Sequence, residues 1–452
     1  MISSFFEEPA PKSLEAFLLK TNTAKFILCL PNDLEKPNYR GCLQQLSSTG
    51  RINNLILDES HLVDQWGQAF HDSLKAFSRN ANLILEGMLT NTPAYRRPQV
   101  QCLTGTASRL QAETMAEELE MGESTEYLFS SLDRPTLFFD TLDLNYVDGP
   151  KSKVLEEGAK RLLPDIVTAT RSIIFVATAD DAKKVAAELV NAKCGIIAFP
   201  FYSKLDIDAA SGDTAFDREA ALLQWQACEG SVLVSTTLGV HGLNYRDVDF
   251  IAHLMIPTDI RTYWQAANRA CRANQRGRAI QTISAEYIQD ASWSVDWSDG
   301  KRVAAFREML RITGDDKSCR RAAILKALGS KPPIAGTCNN CYVCNPENSR
   351  NPPESQLRDA TKACSALVSS IISRRSAKKS APFAKTLRGP WRGECSSISE
   401  ANAAFYHLSG RAILDFDSGA KGGLEVLVNS ERAAPIVCCH APVYIRVTDA
   451  PS

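Results

Sequence analysis

Three groups of residues could do chemistry by their type and spacing. In LILDESHLVDQWG (residues 55–67) an aliphatic run stops on adjacent carboxylates, Asp58 and Glu59, with His61, Gln65 and Trp66 just after. Two carboxylates at the carboxyl end of a parallel strand suit a phosphate-bound Mg²⁺ and a water that must be oriented for attack. An Asp-Glu pair also serves simply to end a strand and begin a helix. In YWQAANRACRA (263–273), Arg269 and Arg272 stand at i and i+3. On a helix that spacing puts both guanidiniums on one face. There they either stabilise a transferring phosphoryl group or make a solvated basic face. Cys338, Cys341 and Cys344 read C-x₂-C-x₂-C, with Cys319 upstream in CRRAAILKALG. Four thiolates at such spacings close a tetrahedral Zn²⁺ site; reduced, unmetallated thiols are the alternative.

The elements that must position these groups follow from the apolar pattern. KFILCLP (25–31), NNLILDES (53–60) and VQCLTGTAS (100–108) are short apolar runs ending in turn residues, as buried strands do. SLEAFLLK and RLQAETMAEELE have helical spacing. A second set begins near Arg134, with strands over 172–181, 231–237 and 248–257 and helices over AKKVAAELV and 263–273. Strands alternating with helices predict an α/β chain with parallel sheets and crossover helices. Two such sets predict two α/β domains within the 452 residues. A formal charge of −1 excludes a generically basic nucleic-acid binder, so any such surface is local. No apolar run approaches the roughly 20 residues of a membrane span, and MISSFFEEPAPK lacks a secretory signal pattern. The expectation is a soluble intracellular protein whose 14 cysteines are thiols or metal ligands before disulfides.

DESHLVDQWGQAF resembles motif II and the aromatic-rich loop of RecQ-family DNA helicases of superfamily 2. Asp58, Glu59, His61, Gln65, Trp66, Gly67 and Phe70 match, while Ser60 replaces an alanine and Gln68, Ala69 and His71 depart. LTGTAS (103–108), SLDRPT (131–136) and SIIFVATADDAKKVAAEL resemble the following family segments in order. SVLVSTTLGVHGLNYRDVDFIAH resembles motif V, with Thr236, Gly242, Asn244 and Val248 matched and Val240 in place of a glycine. PTDIRTYWQAANRACRANQRG resembles motif VI, with Gln265, Arg269 and Arg272 matched and Asn268 and Cys271 replacing two glycines. A Cys-Arg-Arg on a helix before the C-x₂-C-x₂-C knuckle resembles the family's zinc-binding domain.

The resemblance implies tandem RecA-like domains with parallel sheets, the first incomplete, followed by a small helical zinc-binding domain. It divides the chain into 1–133, 134–295, 296–350 and a basic linker and tail over 351–452. It implies a 3′–5′ DNA helicase that couples ATP hydrolysis to strand separation in DNA repair and recombination, with ATP, Mg²⁺ and Zn²⁺. Asp58 would hold Mg²⁺, Glu59 would orient the attacking water, and His61 and Gln265 would sense the γ-phosphate. Arg272, with Arg269 beside it, would reach that phosphate from the second domain. DNA, single-stranded or at duplex junctions, would run along Gln65, Trp66, Phe70, Thr106, Thr236 and Asn244. Location is nuclear in a eukaryote and cytoplasmic otherwise.

No G-x-x-x-x-G-K-[ST] phosphate loop occurs in the chain; Gly300-Lys301 is followed by Arg302. The expectations are a fragment of a full helicase, a decayed copy, or a non-catalytic DNA-binding or scaffold protein, with zinc and DNA binding kept and ATP turnover weak or absent. Residues 358–392 are rich in Lys and Arg, with Asp359 the one acid. That composition suits phosphate contact, a nuclear localisation patch or a solvated linker. No recognisable winged-helix domain is read in the tail.

Overall fold

The structure, a computed structural model, describes residues 41, 43, 45–46, 52, 54–58, 60, 99–118, 121, 123–202, 218–236, 247–271, 276–315, 317–332, 338–348, 356–376, 386, 389, 392, 395, 397–411, 413–418, 424–437 and 443–447. The chain divides into two compact units, Met1–Leu132 and Asp133–Ser452. The strand expected over 25–31 lies outside the described residues.

In the first unit, β1 (Asn54–Leu57) and β2 (Gln99–Cys102) pair in parallel, from Asn54 opposite Gln99 to Leu57 opposite Cys102. Helix α1 (Arg109–Glu118) starts at a reciprocal cap: the Gln111 amide donates to the Ser108 hydroxyl, and the Gln111 side chain accepts from the Ser108 amide. Met115 and Ala116 are buried.

The second unit is built on a six-stranded, all-parallel sheet. Its strands are β3 (Leu137–Asp143), β4 (Ser172–Val176), β5 (Ala198–Phe201), β6 (Val232–Thr236), β7 (Phe250–His253) and β8 (Gly277–Ile283), in the order β3-β8-β7-β4-β6-β5. The apolar runs occupy the middle, where every residue of β4, β6 and β7 is buried. Helices α2 (Lys151–Thr168), α3 (Ala179–Asn191) and α4 (Arg218–Ala227) pack on the strands. The strand expected over 172–181 stops at Val176, because the Thr178 hydroxyl accepts from the Asp181 amide and starts α3. Asp181 and Asp290 both accept from Lys151, which ties α2 to α3 and to α6 (Ala285–Trp293).

Strands β3, β5 and β8 escape the apolar pattern for physical reasons. Pro200 breaks the run in β5, which among the described residues pairs only with β6 and so sits at an edge that tolerates proline. β3 and β8 carry Asp140 and Arg278, whose side chains meet at 2.6 Å, so the charges are satisfied across the strand pair.

One expected helix is shorter. α5 (Ile260–Ala267) buries Tyr263 and Trp264, but it ends at a cap on Asn268 instead of running to 273. The amides of Arg269 and Ala270 then bond to Ala266 and Ala267, a tightened last turn, and Cys271 adopts φ +60°. The shared helix face expected for Arg269 and Arg272 is therefore corrected: Arg269 lies in the turn, and Arg272 lies outside the described residues.

Beyond the sheet come α7 (Gly300–Gly314) and α8 (Arg320–Ala327), which both pack on α5. The stretch expected as linker and tail is folded where it is described. It contains β9 (Gln356–Asp359), α9 (Thr361–Ser376), α10 (Ile398–Gly410), β10 (Leu414–Ser418), β11 (Leu424–Val428), α11 (Ser430–Val437) and β12 (Tyr444–Val447). β10–β11 and β9–β12 are antiparallel pairs. Basic residues crowd the ends of α9, but its middle buries Ala363, Cys364, Leu367, Val368 and Ile371, so burial overrides the linker composition. α10 packs on α7, where the Thr313 and Tyr406 hydroxyls lie 2.7 Å apart, and Asn402 donates to the Asn145 carbonyl.

Candidate metal centre

Cys319 is the N-cap of α8, and its sulfur accepts from the Ala322 amide at 3.5 Å. A sulfur there faces the unpaired amides at the positive end of the helix. The other three cysteines sit in a short knuckle. The Cys338 amide points at the Cys344 sulfur and the Asn340 amide at the Cys338 sulfur, both at 3.4 Å. Asn339 takes φ +51°, a left-handed step that asparagine tolerates, and turns the chain back on itself.

The four sulfurs lie within 4.8 Å of one another, with Cys319 and Cys341 3.9 Å apart. A tetrahedral Zn²⁺ with Zn–S bonds of about 2.3 Å requires sulfurs about 3.8 Å apart, whereas a disulfide requires about 2.05 Å. The cluster could therefore hold a metal ion, and an all-sulfur donor set favours a soft or borderline one. Hydrogen bonds with Cys319 and Cys338 hold the Cys341 thiol well below its ordinary pKa. Cys338 moves the opposite way, through its bonds with Cys319 and Cys341. One sulfur takes the negative charge that its neighbours' protons support.

Two arginines follow Cys319 directly. Arg320 is buried and donates from one nitrogen to the Thr313 carbonyl at 2.7 Å and the Tyr342 hydroxyl at 2.6 Å. Its Nε and Nη1 have no hydrogen-bond partner among the described residues. The guanidinium lies over the Tyr342 ring, 5.0 Å from its centroid, and a buried cation is costly unless negative charge lies close, which a four-thiolate cage beginning at the preceding residue would add. This orphaned cation fits a loaded metal site. Arg321 makes a two-pronged ion pair with Asp133.

The knuckle also extends the sheet. Phe139 donates to the Asn340 carbonyl at 3.2 Å and accepts from the Tyr342 amide at 2.9 Å, so Cys341 is bridged to the outer edge of β3. Asn340 donates from its side chain to the Pro135 and Leu137 carbonyls at 2.8 and 2.7 Å. Next to Asp133, Arg134 reaches the end of α5. It donates to the Ala270 and Cys271 carbonyls, both at 3.0 Å, and to the Asn268 side chain at 3.4 Å. Carbonyls at a helix end lack partners within the helix, and a cation is the favoured donor to them.

The remaining expected residues divide by what is described. Asp58 is exposed in the turn after β1, and Thr106 is buried beyond the same end of β2. Ser60, in place of the family's alanine, continues the ladder: its amide and hydroxyl both donate to the Leu103 carbonyl, at 2.9 and 3.1 Å. Thr236 closes β6 and is buried, and Gln265 lies half-buried on α5. Glu59, His61, Gln65, Trp66, Phe70, Asn244 and Arg272 lie outside the described residues. The structure brings together the four cysteines. Asp133, Arg134, Arg320, Arg321 and Asn340 are additions: each lies inside a quoted motif, but only their long-range partners reveal a role.

A model of the helicase conserved C-terminal domain matches residues 157–274, which covers β4 to α5 and the turn after it. ATP-dependent DNA helicase Q-like 2 of Arabidopsis thaliana is 23% identical over 321 residues, 71% of this chain and 42% of that protein. ATP-dependent DNA helicase RecQ of Haemophilus influenzae is 24% identical over 304 residues, 66% of this chain and 44% of that protein. The chain thus spans less than half the length of either. Among solved structures, Mycobacterium smegmatis helicase Lhr bound to ssDNA and AMP-PNP superposes with a TM-score of 0.44 at 12% identity, covering 95% of this chain and 48% of that one.

Proposed function

We propose that this chain, which is similar to RecQ-family DNA helicases, serves ATP-driven, 3′–5′ DNA strand separation, braced by a structural zinc site. The observation that carries this reading is the four-cysteine cage built onto the edge of the sheet that contains the helicase C-terminal match. Structural zinc would contribute folding free energy and no chemistry, held by Cys319, Cys338, Cys341 and Cys344. In this reading Asp58 would hold the Mg²⁺ of bound ATP and Glu59 would orient the attacking water. His61 and Gln265 would report on the γ-phosphate, and Arg269 and Arg272 would stabilise its charge. Single-stranded DNA stacks on Trp66 and Phe70 and is followed by Gln65, Thr106, Thr236 and Asn244. The phosphate loop that cradles ATP in such enzymes is not among residues 1–452, so turnover by this chain alone is expected to be weak.

A second reading, a DNA-binding or scaffold protein without turnover, is favoured by Cys271. It stands where the family has a glycine and holds a left-handed backbone, φ +60°. Two measurements on the purified 452-residue protein separate the readings. Metal analysis is expected to give one zinc per chain, falling to none in Cys341→Ser. DNA-stimulated ATP hydrolysis, weak as expected but abolished by Glu59→Gln, supports the helicase. DNA binding with no hydrolysis that Glu59→Gln alters supports the scaffold.

A further inference from the structure

We infer that Arg134 is the positioning residue for the turn that carries Arg269, and that the four-cysteine cage holds Arg134 in register through Arg321 and Asn340. The role given to Arg269 rests on the reading above; the mechanical coupling does not. The chain from Asp133 to Leu137 is gripped from the cage side at three points. Arg321, two residues after Cys319, pairs with Asp133, and Asn340, inside the knuckle, binds the Pro135 and Leu137 carbonyls. Pro135 fixes its own φ and keeps Arg134 extended, so the gripped segment is stiff.

From that stiff segment Arg134 reaches the opposite way. Its fork satisfies the Ala270 and Cys271 carbonyls at 3.0 Å, and through them the backbone around Arg269. Cys271 is an unfavourable residue for its own conformation, φ +60°, and such a turn persists only when its surroundings over-determine it. The amides of Arg269, Ala270 and Cys271 bond to the Ala266, Ala267 and Val248 carbonyls, and Arg134 clamps the Ala270 and Cys271 carbonyls from the other side of the peptide groups. Thus the route from metal to turn runs from Cys319 and Cys341, through Arg321 and Asn340, to the 133–137 segment, and through Arg134 to residues 268–271.

Coupling of this kind is reciprocal: whatever the metal does for the turn, the turn must return to the metal. The test uses the full chain, its zinc content measured, in two assays without nucleotide. In the first, amide hydrogen exchange is followed after Arg134→Gln, after Arg321→Gln, and after chelation. Exchange of the 268–271 amides is expected to rise about tenfold in each, while β4 and β6 stay protected; Arg134→Lys is expected to restore part of the protection. In the second, zinc release to a chromogenic chelator is expected to be several-fold faster in Arg134→Gln than in the parent. The charge-swapped pair Asp133→Arg with Arg321→Asp is expected to return both readouts toward the parent. If chelation unfolds the whole unit, the release rate in the folded Arg134→Gln protein decides the matter. Unchanged exchange in the turn together with unchanged zinc release would overturn the inference. A chain that never hydrolyses ATP would overturn the helicase reading and leave this coupling standing.

Discussion

Cys271 concentrates the residue-scale argument. A side chain at φ +60° costs about 1–2 kcal/mol relative to an ordinary conformation. Glycine would remove that cost and give back part of it as unfolded-chain entropy. The thiol is buried, which pushes its pKa up to about 11 and leaves it a neutral, unreactive filler against Gly277. Cys271→Gly is therefore expected to change stability by less than about 1 kcal/mol. Cys271→Val, β-branched in a left-handed position, is expected to cost more than about 2 kcal/mol. Urea unfolding of the three proteins checks both. If valine were as stable as cysteine, the left-handed turn would not exist in solution.

At the scale of elements, the contact between α7 and α10 decides whether the C-terminal helices are part of the domain or merely follow it. A Cβ on Gly410 would lie 3.2 Å from the Arg311 amide nitrogen and 3.3 Å from the Leu310 carbonyl carbon, so a side chain there would press on the α7 backbone. The buried hydroxyl pair of Thr313 and Tyr406 adds direction to that packing. Tyr406→Phe is expected to cost about 1 kcal/mol, the net worth of one buried hydrogen bond. Gly410→Val is expected to cost about 1–3 kcal/mol through overpacking and to expose α10 to limited proteolysis. Melting temperature and protease sensitivity report the two effects separately. If Gly410→Val neither lowers stability nor opens α10, the helices are not packed as described.

For the molecule as a whole, acid is the informative stress. Burial lowers the His253 pKa from 6.5 to about 3, with the ring stacked on Phe175, and lowers His407 to about 4. The unfolded chain takes up protons on both near pH 6.5, and the folded chain does not. Their contribution is thus fully present above pH 6.5 and is lost as pH falls toward 4. At pH 5, His253 alone is expected to remove about 2 kcal/mol of the stability measured at pH 7. Unfolding free energies at the two pH values, with His253→Phe as reference, test the sign. The variant should lose less on acidification, and an equal loss would mean that His253 titrates in the folded protein.

The cysteine cluster and the central strands were legible in the sequence, because both depend largely on near neighbours. Cys338, Cys341 and Cys344 converge through one turn of chain, and the apolar runs of β4, β6 and β7 follow from burial on both faces of a parallel sheet. Other features depend on partners far along the chain. The polar edge strands, the end of α5 at Ala267 and the grip of Arg134 on a turn 136 residues away arise only when those partners meet. The same holds for the folded stretch after Gln356, where burial of α9 against α10 and α11 outweighs a composition that reads as linker. Local spacing determined which sulfurs could share a metal; tertiary packing decided which strand edge and side chains that cluster lies against.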